Sequence, residues 1–243
     1  MKLEDGSPDI IEFYDLGQDD VLGTSTPRPS PEVITINRKA FRYIFHYAYG
    51  IICHLLSHVD WHLSLKPGTL ASFCPQDKPS QTMLRMLRSP SQTIGCHRTK
   101  LIGHTDLGSK TILFEIVGGL QLLPAGSENI DANWTYIRPE PGCAVINLGD
   151  AMVQWSDGVL RSNVHRVATP SGLQAGFLRY SLAYLLRPEA GASMRRLGGG
   201  GVIPRLADGE GEDSLCAQDW EKMRMAQIVA GSSLPKSTGG QKL

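Results

Sequence analysis

The chain has no uninterrupted apolar run approaching the roughly 20 residues that a membrane-spanning helix needs, so nothing in it reads as an anchor. It has no charge imbalance either. Lys plus Arg number 24 against 24 Asp plus Glu, and no global field draws the protein to nucleic acid or to an anionic membrane. A small-molecule partner fits that neutrality. Cysteine is sparse and unpatterned: Cys53, Cys74, Cys96, Cys143 and Cys216 are odd in number and include no C-x-x-C pair. That argues against a disulfide framework or a thiolate zinc site and points to a reducing, cytoplasmic setting. The opening MKLEDGSPDIIEFYDLGQDD is acidic and has no apolar stretch, so it resembles neither a secretory signal nor a transit peptide.

What is present divides by pattern. Pro and Gly cluster at 23–32, 139–142 and 196–204, marking linkers and turns. Residues 1–32 read as a linker-like amino-terminal segment. Residues 33–66 read as a helical flank, since VITINRKAFRYIFHYAYGIICHLLSHVDWHLS mixes three- and four-residue apolar spacing until KPGT stops it. From 84 to 190 short runs rich in Ile, Val, Leu, Thr and Tyr alternate with turn formers: LRMLRS, KTILFE, GLQLL, WTYI, CAVINL, VLRSNVHRVA and FLRYSLAYLL. That alternation predicts a mainly β core with flanking helices, an antiparallel jelly roll or barrel. Residues 191–243 read as a loop, a helix over SLCAQDWEKMRMAQIV with Ser214 as its cap, and a flexible tail.

Within the β region, GHTDLGSKTILFE sets His104 and Asp106 two positions apart, which on a strand projects an imidazole and a carboxylate from one face. Seven histidines and 14 aspartates among 243 residues give about 0.4 such pairs by chance, so the pair needs partners elsewhere. His54, His58 and His62 recur every four residues along the helical flank and form a competing metal candidate. Packing and capping explain that stripe without a metal. Downstream, Asn163, His165 and Val167 share a strand face, and two histidines with one carboxylate on a β-scaffold make the facial triad that suits non-haem Fe(II).

FLRYSLAYLL adds an anion site. Its odd positions carry Arg179 and Ser181, its even positions are almost wholly apolar, and both faces read as buried. A guanidinium so placed demands an anion through charge-assisted hydrogen bonds, either a bound ligand or an internal Glu or Asp.

Together the segments HTDLGSKTILFE, GGLQLLP, PGCAVINLGDAMVQWSDGVLRSNVHRV and RYSLAYLLRPE resemble the isopenicillin N synthase-like branch of Fe(II)/2-oxoglutarate-dependent dioxygenases, its fungal natural-product enzymes above all. The resemblance runs from about 101 to 189 and implies a double-stranded β-helix (jelly roll). It implies Fe(2+) held by His104, Asp106 and His165, and 2-oxoglutarate as cosubstrate with its distal carboxylate on Arg179 and Ser181. O2 would complete the set. The implied activity is oxidation of a small natural product, by hydroxylation, desaturation or cyclisation, with release of succinate and CO2. Two features depart from the family pattern. Arg88-Ser89-Pro90 stands where relatives commonly read Arg-Tyr-Pro, and the chain starts later than family members usually do. The late start implies an open flank, self-association through it, and as the alternative reading a non-catalytic or weakly active truncated relative that keeps metal and cosubstrate binding.

Overall fold

Alternation along RYSLAYLL decides what the central strand separates. The computed structural model describes residues 11–95, 99–198, 201–206, 215–229 and 238–240. Its strands are β1 (Glu12–Gly17), β2 (Met83–Ser89), β3 (Thr99–His104), β4 (Lys110–Glu115), β5 (Leu120–Leu122), β6 (Thr135–Tyr136), β7 (Val145–Leu148), β8 (Arg161–Ser162), β9 (His165–Ala168), β10 (Arg179–Leu186) and β11 (Thr238–Gly239). The helices are α1 (Gln18–Leu22), α2 (Glu32–Ile36), α3 (Arg38–His62), α4 (Thr69–Ser72), α5 (Asp150–Trp155) and α6 (Ala217–Val229). A five-stranded antiparallel sheet in the order β1-β2-β10-β4-β7 faces a four-stranded sheet in the order β3-β9-β5-β6, and β8 pairs with β11. This is the jelly roll expected from the run of short strands.

On one face of β10, Tyr184 lies in register between Leu84 and Ile112, and all three are buried. α3 covers them because Phe45, Ala48, Ile52 and Leu56 recur at helical spacing on a single stripe. The Phe45 ring meets Tyr184 edge-on at 5.8 Å. Each such buried apolar side chain contributes about 1.5–3 kcal/mol. The helix is closed off by Asp60, whose carboxylate accepts from the backbone N–H of Gly68 at 2.8 Å and of Leu70 at 3.0 Å. On the other face Arg179, Ser181, Ala183 and Leu185 look toward the second sheet across a cavity of about 200 Å³.

Three expectations are corrected. The amino-terminal segment is more than a linker: EFYDLG pairs residue for residue with β2, held by Arg85 on Asp15 at 2.7 Å, and α1 follows it. The apolar side chains in this strand were obscured by the acidic composition around them. The even face of β10 is buried only where α3 reaches it; Tyr180 is 60% exposed and, with exposed Phe114, Ile116 and Ile146, forms an apolar outer groove. The histidine stripe packs no core. His54, His58 and His62 face solvent, and His54 and His58 meet each other, Nε2 to Nε2 at 3.4 Å. The expected Ser214 cap lies outside the described residues. No helix among the described residues is long and apolar enough to cross a membrane.

Candidate metal and cosubstrate site

β3 and β9 run antiparallel, and a register irregularity after Leu101 sets His104 directly opposite His165. Opposed side chains in such a pair project together, and the ring centroids lie 4.4 Å apart. Each imidazole is tied at Nδ1 to the carbonyl two residues before it, His104 to Ile102 at 2.9 Å and His165 to Asn163 at 3.2 Å. Donation from Nδ1 leaves each Nε2 lone pair free for the cavity.

Asp106 joins them by a turn and not as part of the strand, which ends at His104. Its carbonyl accepts from the Asp150 N–H at 2.7 Å, fastening the turn to the start of α5. That fit depends on glycine: a Cβ on Gly149 would lie 2.2 Å from the Gly108 carbonyl oxygen and 2.8 Å from that of Asp106. The Asp106 Oδ2 accepts from Thr111 Oγ1 at 2.6 Å and Asn147 Nδ2 at 2.8 Å, while Oδ1 stands 3.9 Å from His165 Nε2. Thr111 and Asn147 are themselves register partners between β4 and β7. One ligand atom from each of His104, Asp106 and His165 lies within 4.8 Å of the others, the single such cluster among the described residues.

The electrostatics suit a dication. Burial, seconded by the neighbouring His165 ring, lowers His104 to about 4, so it is a neutral donor at physiological pH. Burial alone would raise Asp106; the imidazoles of His165 and His104 and the hydrogen bonds from Asn147 and Thr111 outweigh it and bring the carboxyl down to about 2. Two imidazole nitrogens and one fixed carboxylate form the nitrogen and oxygen donor set that divalent iron takes.

Arg179 and Ser181 line the same cavity as the three candidate ligands. The guanidinium, 1% exposed, donates from Nε to the Val117 carbonyl at 3.2 Å and from Nη1 to Ser181 Oγ at 3.1 Å. Its Nη2 pairs with Glu115, so an internal carboxylate is already present beside the expected ligand anion. The Ser89 Oγ, on the residue opposite Arg179 in β2, is buried without a hydrogen-bond partner. Sequence reasoning missed Thr111, Asn147 and Glu115. The available signal was a polar residue at an inward position of an otherwise apolar strand.

Residues 51–188 match the 2OG-Fe(II) oxygenase superfamily. A 2-oxoglutarate-dependent dioxygenase of Amanita muscaria (iboH) is 40% identical over 156 residues, covering 64% of this chain and 74% of that protein. Another, from Glarea lozoyensis (gloE), is 31% identical over 83% of this chain and 59% of its own length, so the chain spans less than two thirds of that relative. The fold matches that of a full-length Neurospora crassa protein solved in complex with alpha-KG, with a TM-score of 0.73 and 22% identity over 91% of this chain and 66% of that one. A match over more than half of the chain, on the strands that carry the cavity, makes this protein a member of the 2OG-Fe(II) oxygenase superfamily, whose cofactors are Fe(II), 2-oxoglutarate and O2.

Proposed function

We propose that this chain is a 2-oxoglutarate-dependent dioxygenase of the isopenicillin N synthase-like branch that oxidises a small natural product. The observation that carries the reading is the cluster of His104, Asp106 and His165, with both Nδ1 atoms and the far carboxylate oxygen already engaged and the near atoms left converging. These three residues hold Fe(II), and Arg179 with Ser181 binds the distal carboxylate of 2-oxoglutarate at the other side of the cavity. Bound there, the metal and cosubstrate supply oxidising power, with O2 consumed, 2-oxoglutarate converted to succinate and CO2, and the substrate oxidised.

The chain's own work is placement. Thr111 and Asn147 keep Asp106 ionised and aimed, the two carbonyls fix the imidazole tautomers, and Leu87, Leu101, Leu113, Leu120 and Val167 wall the cavity against water. Those apolar walls favour a small, largely apolar substrate. A gibberellin 2-beta-dioxygenase of Arabidopsis thaliana, 34% identical over 140 residues, supports the natural-product class. Hydroxylation is the expected outcome, with desaturation and cyclisation differing only in the fate of the substrate.

On this reading residues 84–190 form the catalytic core, 33–66 a helical flank, and 191–243 a carboxy-terminal segment. Its setting is the cytoplasm, and its partners include neither nucleic acid nor membrane. The balanced charge and the free Cys53, Cys74, Cys143 and Cys216 support this. The exposed outer groove favours self-association, which size-exclusion chromatography reads. The deciding experiment is anaerobic addition of Fe(II) and 2-oxoglutarate, followed by O2 and assay of succinate. The reading predicts a charge-transfer absorbance and stoichiometric succinate; absence of both would overturn it.

A further inference from the structure

Beside the cavity, paired with Arg179, lies a charge that the metal site does not use. Glu115 ends β4 on the same inward alternation as Thr111 and Leu113, and its register partner on β10 is Ser181. Register therefore fixes the carboxylate beside the Arg179 fork. Arg179 is 1% exposed and Glu115 2%, so the pair is desolvated on both sides. Every nitrogen of the fork has a partner: Val117 at Nε, Ser181 at Nη1 and Glu115 at Nη2. One guanidinium is thus oriented by three groups, and its single positive charge is cancelled by one of them.

That arrangement has a consequence for any anion that Arg179 receives. A second carboxylate would leave one positive charge against two negative ones in a poorly screened site, where like charges cannot both stay ionised cheaply. We infer that Glu115 is a positioning residue for Arg179 and that its carboxylate competes with the distal carboxylate of a 2-oxo dicarboxylic acid, so that cosubstrate binding is coupled to proton uptake by Glu115. This rests on the reading of Arg179 as the cosubstrate anchor.

The proton has a place to go. Glu115 Oε2 is held by Arg179, whereas Oε1 is buried without a hydrogen-bond partner. The proton comes from solvent through the groove that Glu115 borders with Phe114 and Ile116. Burial already raises the Glu115 carboxyl, and Arg179 opposes that rise by its charge and hydrogen bond. Among the described residues Arg179, from β10, is the charged group acting on it. Tyr180 of β10 and, ahead of β7, Glu140 and Cys143 line the same groove and are exposed, and Glu140 is taken up by Arg138 at 3.5 Å. Sharing Arg179 with a second anion weakens that opposition, so the bound state holds more protons than the free state. Affinity for 2-oxoglutarate then rises as pH falls.

The test is calorimetric titration of 2-oxoglutarate into the Mn(II)-loaded protein from about pH 6 to about pH 8, in buffers of different ionisation enthalpy, which counts protons taken up on binding. Wild type should take up a proton fraction that Glu115→Gln does not, and should lose affinity toward alkaline pH. Glu115→Gln keeps an acceptor for Arg179 without the charge; it should bind about tenfold tighter at the alkaline end, the change that one pKa unit of coupling carries, with a flatter profile. Glu115→Ala, which removes both charge and acceptor, should lose that gain because the fork is no longer held. Equal proton uptake and equal pH profiles in wild type and Glu115→Gln would overturn the inference. If Glu115→Gln does not fold, wild type alone decides, since binding without proton uptake across the range overturns it equally. Arg179→Gln separates the two readings. Affinity unchanged by Arg179→Gln removes the anchor and the inference together, whereas affinity lost there with Glu115→Gln indistinguishable from wild type removes the inference alone.

Discussion

His104 and His165 face each other across the β3–β9 pairing with ring centroids 4.4 Å apart, each pinned at Nδ1 by the carbonyl two residues upstream. The symmetry leaves two Nε2 atoms aimed at one point beside Asp106. Replacing His104, Asp106 or His165 by Ala is expected to abolish Fe(II) binding and succinate release. The triple change of His54, His58 and His62 to Ala on the exposed side of α3 is expected to leave both intact. Metal analysis after anaerobic gel filtration checks this, and stoichiometric iron on the His165→Ala protein would refute the assignment.

Asn147 touches no expected ligand position of the metal, yet its amide holds the Asp106 Oδ2 at 2.8 Å. Asn147→Ala is expected to weaken Fe(II) binding about 10- to 100-fold, the usual cost of losing a partner that orients a ligand. Thr111→Val removes the other donor at nearly constant volume and should act in the same direction. Unchanged metal affinity in both variants would show that Asp106 orients itself.

How much of this was legible in the chain depended on the range of the interaction. β4 was readable because KTILFE is a short β-rich run between turn formers, β10 because its even positions are almost wholly apolar, and the candidate site residues because His-x-Asp, a distal His and Arg-x-Ser keep chain order. α5 was not legible: six residues give less than two turns of periodicity, and its start is set by the Asp106 carbonyl across the turn. The placing of Asp106 was also misjudged in detail, since two-residue spacing suggested a shared strand face and the strand stops at His104. Glu115 escaped notice because its partner lies 64 positions along the chain, where only strand register brings them together.

The acid limb of stability follows from His104. Its folded-state value of about 4 lies below its ordinary value, so the folded protein holds the ring neutral while the unfolded chain takes up a proton. The metal-free protein therefore keeps this contribution above about pH 6.5 and loses it as pH falls toward 4. Asp106, brought down to about 2, keeps its contribution above the ordinary carboxylate range and loses it only in stronger acid. Thermal melts of the apo protein across this range should show Tm falling between these limits. His104→Asn should flatten the fall above pH 4, and an equally steep decline in that variant would place the titrating group elsewhere.

The turn that carries Asp106 should be the site's most sequence-intolerant feature. Gly149 enters it with an ordinary extended backbone (φ −103°), so the demand for glycine is not conformational. It is spatial: a methyl group there would meet the Gly108 carbonyl oxygen at 2.2 Å and the Asp106 carbonyl oxygen at 2.8 Å. Both are backbone atoms that cannot swing aside as a side chain would. Relief requires α5 to retreat from the turn, which would break the Asp150 N–H bond to Asp106 and shift the carboxylate away from His165. Gly149→Ala is accordingly expected to cost about 2–4 kcal/mol of stability, in the range of overpacked core sites. It should lower Fe(II) affinity more than Gly191→Ala, at an exposed turn where an added Cβ meets nothing within 4 Å. Denaturant melts and iron titrations of the two variants make the comparison. Near-wild-type stability and metal binding in Gly149→Ala would show that the turn has slack that this packing does not allow.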